Sequence, residues 1–175
     1  NFTETTQTCY TLTLGHTGEG SDPVASPTST ASCPAGTYVE GQAITLSGAT
    51  PATGWGIAGW SGTSDDSSTA ASNTLTMPAG AHTVEVNYLR ILGDVNSDGF
   101  ADSIDALIIL SCDAGMDTSG FCPMNCGDVN ADGGIDSTDA LILLSYDAGI
   151  SVDPYPIGKP GCPSSVTPCG GCSGS

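Results

Sequence analysis

One 23-residue stretch occurs twice in this chain, as GDVNSDGFADSIDALIILSCDAG at 93–115 and GDVNADGGIDSTDALILLSYDAG at 127–149. The copies align without a gap at an offset of 34 residues and are identical at 17 of 23 positions. Each opens with oxygen-bearing side chains at alternate positions and closes in a short apolar segment of helical length. A duplicated polar loop followed by a helix constrains the second half of the chain more than any other feature.

Counted from its first aspartate, a twelve-residue calcium loop wants oxygen donors at positions 1, 3, 5, 7, 9 and 12, with glycine at 6. The first copy supplies Asp94, Asn96, Asp98, the carbonyl of Phe100, Asp102 and Asp105, with Gly99 at the turn. The second supplies Asp128, Asn130, Asp132, the carbonyl of Gly134, Asp136 and Asp139, with Gly133 at the turn. Glycine is required because the backbone folds back sharply so that alternate residues point at one ion. Hard carboxylate oxygens suit calcium better than zinc or copper, and magnesium demands a smaller octahedral shell. Two calcium sites are therefore expected. Four aspartates per loop leave a local charge of −4 when empty and −2 when filled, so ion binding should be coupled to folding.

Both loops depart from a complete EF-hand in the same way. Position 12 is Asp rather than Glu, and no helix enters. Residues 82–89 (HTVEVNYL) alternate like a strand, and Cys122-Pro123-Met124-Asn125-Cys126 reads as a turn. Loop plus exit helix in duplicate, over about 93–149, resembles the type I dockerin family. The resemblance implies two calcium-loop/helix segments related by pseudo-twofold symmetry and docking on a cohesin. It also implies that loop positions 10 and 11 (Ser103 and Ile104, then Ser137 and Thr138) touch the partner. Basic residues that many dockerins carry further along the helix are replaced here by Leu110, Ser111 and Leu144, Ser145.

The helices 106–110 (ALIIL) and 140–144 (ALILL) are apolar on every side, and such a helix must be covered all round. Each can bury one face against the other. A partner protein, the N-terminal module or the tail must cover the rest, which makes Ile108, Ile109, Ile142 and Leu143 further candidates for partner contact.

Charge and cysteines set the outer bounds. Only Arg90 and Lys159 are basic, against 19 acidic residues, for a net charge of −17. That excludes nucleic-acid partners and anionic membrane surfaces, both of which need cations on the protein. Eight cysteines (Cys9, Cys33, Cys112, Cys122, Cys126, Cys162, Cys169 and Cys172) form an even set. Together with the calcium loops they point to an oxidising, extracellular setting with disulfides. Cys9 with Cys33 is the natural pair, being alone in the first half. The other six split evenly between the repeat region and the tail, so at least one bridge should staple these together. A zinc site of Cys122, Cys126, Cys169 and Cys172 is the rival reading. No apolar run approaches a membrane span. No signal peptide is visible, as expected of a mature secreted chain. Asn1-Phe2-Thr3 is a glycosylation sequon.

Ahead of the repeats, alternation marks strands at Tyr10-Leu12-Leu14, Ile44-Leu46, Trp55 to Trp60, Leu75-Met77 and Val84-Val86-Tyr88. GTYVEGQAITL, the GWSG turn at 59–62, and TLTM before V-E-V-N-Y together resemble the divergent internalin-type B-repeat family over about 36–89. That family supplies spacer and adhesion modules of bacterial surface proteins. Trp60 aligns with the family's core tryptophan, whereas Trp55 invites a sugar-stacking role. His16 and His82 lack a nucleophile partner, and Asp65-Asp66 read as a solvated turn, so no catalytic constellation emerges.

The expected architecture is an α+β multidomain chain. A small all-β module (1–90) is followed by a dockerin-like pair of calcium-loop/helix segments (91–152) and a Cys/Pro/Gly/Ser-rich tail (153–175) whose composition predicts a flexible linker. The expected function is extracellular, non-catalytic calcium-dependent assembly. The chain would be the subunit of a surface fibre or other multi-subunit structure, a dockerin anchored to a cohesin, or a carbohydrate-binding fragment.

Overall fold

The structure, a computed structural model, describes residues 7–164 together with 166 and 167. Asn1, Cys169 and Cys172 lie outside the described residues. The chain divides into two compact units: residues through Ala52 with Ile57–Tyr88, and Thr53–Gly56 with Leu89 onward.

The N-terminal region is all β. Its strands are β1 (Cys9–Thr17), β2 (Val24–Ser26), β3 (Thr37–Val39), β4 (Ala43–Ser47), β5 (Trp55–Ser61), β6 (Asn73–Thr76) and β7 (His82–Arg90). They form a four-stranded sheet in the order β3-β1-β7-β5 and a three-stranded sheet in the order β2-β4-β6. The parallel pairing of β1 with β7 sets Leu12 opposite His82 and Leu14 opposite Val84. β4 runs antiparallel to both of its neighbours. Alternation in β4 and β7 sends Ile44, Leu46, Val84, Val86 and Tyr88 inward, as their period of two requires. Trp60 is buried with them and its indole N–H donates to the Ala70 carbonyl, which makes it a packing residue. Cys9 and Cys33 are bonded across a separation of 24 residues. Closing a loop of that length stabilises a small module by about 3 kcal/mol.

The second unit is built on α1 (Ser103–Asp113) and α2 (Ser137–Asp147), with short 3₁₀ turns at Ser119–Phe121 and Asn125–Gly127. Both helices start in the same way. The N-cap aspartates, Asp102 and Asp136, accept from the amides of Ile104 and Thr138, and Asp105 and Asp139 reach back to the N-cap amides. These two capping boxes satisfy amides that would otherwise be orphaned, at about 1 kcal/mol per cap. The core beneath gathers Val95, Ile109, Met124, Val129, Leu143 and Ile157. Full burial of side chains such as Ile109 and Leu143 contributes about 2–3 kcal/mol each.

Among its described residues the tail differs from the linker its composition suggests. The amide of Leu92 donates to the Lys159 carbonyl and that of Gly158 to the Leu92 carbonyl, both at 2.9 Å, and the Gly161 amide donates to the Arg90 carbonyl. Ile157 is buried in the helix core, with Val152 and Tyr155 packed against it. Cys162 is bonded to Cys126, the expected staple between repeat region and tail. Pro and Gly here shape a strap rather than a coil, because a few side chains and one bridge fix it.

Candidate metal centres and the helix faces beside them

The two loops are built alike, atom for atom. In the first, Asp94 accepts from the amides of Asp98 and Gly99 at 3.1 and 2.9 Å. In the second, Asp128 accepts from Asp132 and Gly133, both at 3.1 Å. One oxygen of Asp105 takes the amides of Val95 and Asn96, and the other takes that of Asp102. Asp139 does the same with Val129, Asn130 and Asp136. Asp98 and Asp132 accept from the amides at loop position 7, Phe100 and Gly134. The chain enters the left-handed region at position 4 (Ser97, φ 62°; Ala131, φ 58°) and at position 6 (Gly99, φ 100°; Gly133, φ 91°). The glycine at 6 was expected from the spacing. The non-glycine reversal at 4 was not, since neither Ser nor Ala announces it.

Asp94, Asp105, Asp128 and Asp139 are at most 1 % exposed. Burial pushes the carboxyls of Asp94, Asp105 and Asp139 above the ordinary carboxylate range, and the facing charge of Asp94 adds to this at Asp105, as Asp128 does at Asp139. Paired buried carboxylates that repel one another are an electrostatic deficit that a cation would fill. Oδ1 of Asp105 and of Asp139 already takes two amides, whereas their Oδ2 atoms and both oxygens of Asp94 and Asp128 take one each and keep a lone pair.

Among the described residues, however, no three His, Cys, Asp or Glu side chains are drawn together as a ready metal cluster. Asn96 donates to Asp98 at 2.9 Å and Asn130 to Asp132 at 2.9 Å. The donor set, of carboxylates, one amide oxygen and one backbone carbonyl, fits a hard divalent ion of the calcium type in chemistry.

The partner-contact candidates divide by burial. Ile109 and Leu143 are fully buried, Ile108 is buried, and Ile142 is half-buried and packed on the same core. Ile108, Ile109 and Leu143 are therefore covered within the unit, whereas Ile142 keeps partial exposure. Facing outward instead are Ile104, Leu107 and Leu110 on α1, and Leu141 and Leu144 on α2; Leu107 and Leu141 are 64 % and 65 % exposed. Ser103, Ser137 and Thr138 are exposed as expected. The Phe100 side chain stands out as well, at 70 % exposure. An i, i+3, i+6 row from Ile104 was present in the sequence. Because Ile108 and Ile109, lying between Leu107 and Leu110, are equally apolar, nothing marked that row as the outer one.

The zinc reading fails: Cys126 is bonded to Cys162, and Cys122 is itself disulfide-bonded. Among the described residues no cysteine is free. His16 pairs with Asp22 at 2.6 Å and His82 with the Gly62 carbonyl at 2.7 Å. Asp65 and Asp66 bond to Ser67 and Thr63, building their own turn.

Residues 10–92 match the family described as the divergent InlB B-repeat domain, and residues 92–146 match the dockerin type I domain. No curated protein and no solved structure matches the chain. The resemblances seen in the sequence thus stand, in that order along the chain. Dockerin type I domains bind calcium and assemble with protein partners such as cohesins. Both matched domains are typically non-catalytic and typical of extracellular or surface proteins. No described helix is long and apolar enough to cross a membrane.

Proposed function

We propose that this chain is a secreted, non-catalytic docking protein whose second unit takes up two calcium ions and thereby presents its outward apolar helix rows to a protein partner. The observation that carries this reading is the matched pair of loops, each with buried, mutually repelling carboxylates and the same amide network. In the first loop Asp94, Asn96, Asp98, the Phe100 carbonyl, Asp102 and Asp105 would hold the ion. In the second, Asp128, Asn130, Asp132, the Gly134 carbonyl, Asp136 and Asp139 would do so. The ion would supply charge neutralisation. The loops would then hold α1 and α2 in place, since Asp105 and Asp139 serve both loop and helix cap.

A cohesin-type partner is the reading favoured by the dockerin match. Its test is calorimetric titration with calcium, expected to give two equivalents per chain, followed by capture of a cohesin module with and without chelator. Leu107→Asp and Leu141→Asp should weaken capture while leaving the melting temperature in calcium unchanged. Zero calcium equivalents, or capture indifferent to chelator, would refute it.

Self-assembly into a fibre is the second reading. What favours it is that both helices carry an outward apolar row, so that two contacts per subunit are available, and a contact that does not close on itself propagates. Light scattering in calcium separates the two: a particle that stays monomeric at high concentration removes the fibre.

A further inference from the structure

Two cavities flank equivalent positions of the two loops. The one beside the first loop, about 400 Å3, is lined by Trp55, Arg90, Val95, Asn96, Ser97, Gly120, Phe121, Cys122 and Pro123. The one beside the second loop, about 530 Å3, includes Val129, Asn130 and Ala131 at the matching positions, with Tyr155 and Asp128 in its wall. Both volumes fall in the range of small-ligand sites. Their chemistry is opposite.

The first cavity holds the chain's one arginine and has no acidic residue in its lining, although 19 of the 175 residues are acidic. The second holds a carboxylate and no base. Arg90 is fixed by donating to the Pro123 carbonyl and the Ser97 hydroxyl, both at 2.8 Å. Two of five guanidinium N–H groups are thereby used, leaving donors for a carboxylate. Trp55 is half-buried and Phe121 is 39 % exposed, so the wall offers two aromatic surfaces. At Gly120 an added Cβ would meet nothing, which marks open space on that side.

We propose that this cavity is a binding subsite for a carboxylated sugar ring of the hexuronate class. The pyranose C–H face packs on the aromatic wall, the carboxylate takes the free guanidinium donors, and the Ser97 hydroxyl and Asn96 amide face the ring hydroxyls. Asp94 already acts on the Arg90 guanidinium from outside the lining, so what a neutral sugar leaves unmatched is the unused N–H donors, and a plain aliphatic acid leaves the aromatic wall uncovered. The site uses neither outward helix row, but it shares Asn96 with the first loop and so rests on that part of the proposed function; loss of docking on substitution of the helix rows would leave it untouched.

The test is calorimetric titration of the full chain, in calcium, with D-glucuronate, D-glucose and N-acetylglutamate. Saturable glucuronate binding at least tenfold tighter than either of the others is expected. Arg90→Gln should remove that preference, and Trp55→Ala should remove saturation. Because Arg90 also braces Ser97, Phe121→Ala provides the control outside the brace: it should weaken glucuronate several-fold with an unchanged melting temperature. Equal binding of glucose, stronger binding of N-acetylglutamate, or no saturation into tens of millimolar would overturn the proposal.

Discussion

The two repeats share a backbone and a hydrogen-bond network, and differ in what surrounds it. The amide bonds onto Asp94 and Asp105 recur on Asp128 and Asp139. Even the packing is exchanged symmetrically: a Cβ at Gly93 would press on Leu143 of the second helix, and one at Gly127 on Ile109 of the first. Yet loop position 4 of the first copy, Ser97, is held by Arg90, while its counterpart Ala131 has no hydroxyl to offer. The second loop is instead touched by the tail, where the Thr167 amide donates to the Gly133 carbonyl. Phe100 and Ile104 stand exposed where the second copy has Gly134 and Thr138. Duplication therefore preserves what an ion would need and lets the rim diverge.

The largest effect that can break this equivalence is calcium removal. At a thousandfold excess over the dissociation constant, each filled site adds about 4 kcal/mol. Chelation should lower the melting temperature of the second unit sharply while the β unit, with its own core and Cys9–Cys33 bridge, is little affected; scanning calorimetry with and without chelator would resolve the two. Next come Asp105→Ala and Asp139→Ala, each orphaning three amides and removing one arm of a capping box. Both should cost about 3 kcal/mol in denaturant unfolding. A marked difference between them would show that the halves are not energetically alike.

Glycine substitution sharpens the comparison further. Gly93 sits at φ 92°, and a Cβ there would lie 2.9 Å from Ala101. At Gly127 the nearest atom is Ile109 Cγ1 at 3.2 Å. Gly93→Ala should therefore cost about 2 kcal/mol and Gly127→Ala about 1 kcal/mol or less, by urea unfolding. Smaller still is a pH effect in chelator. The raised carboxyls of Asp94, Asp105 and Asp139 bind protons more tightly folded than unfolded. Their contribution is complete below the unfolded value and is lost as pH rises through the folded one. The calcium-free second unit should lose stability as pH climbs out of the carboxylate range, and calcium should cancel that slope. Stability that rises across the same interval would contradict the burial of these groups.

Much of the loop was legible in the sequence because ligand spacing is a local code: six donors and one glycine within twelve residues, written twice. The strands of β4 and β7 were legible for the same reason, as alternation of Ile44, Leu46, Val84, Val86 and Tyr88 is local. β2 and β3, three residues each, are too short to alternate. The inner and outer faces of α1 were not legible. Ile108 and Ile109 point in while Leu107 and Leu110 point out, and side chains of equal hydropathy give periodicity nothing to report. Nor was the strap, because the partners of Lys159 and Gly161 are Leu92 and Arg90, far back along the chain. Pro and Gly content describes local stiffness and says nothing of distant pairing.

That strap sets how the second unit would respond to mechanical load. Residues 90–92 and 158–161 run side by side, so a pull between those two stretches would tug first on a few crossing amides. The Cys126–Cys162 bond and the Thr167 amide on the Gly133 carbonyl carry the strap onward to the second loop, so load drawn through it would be felt at that loop.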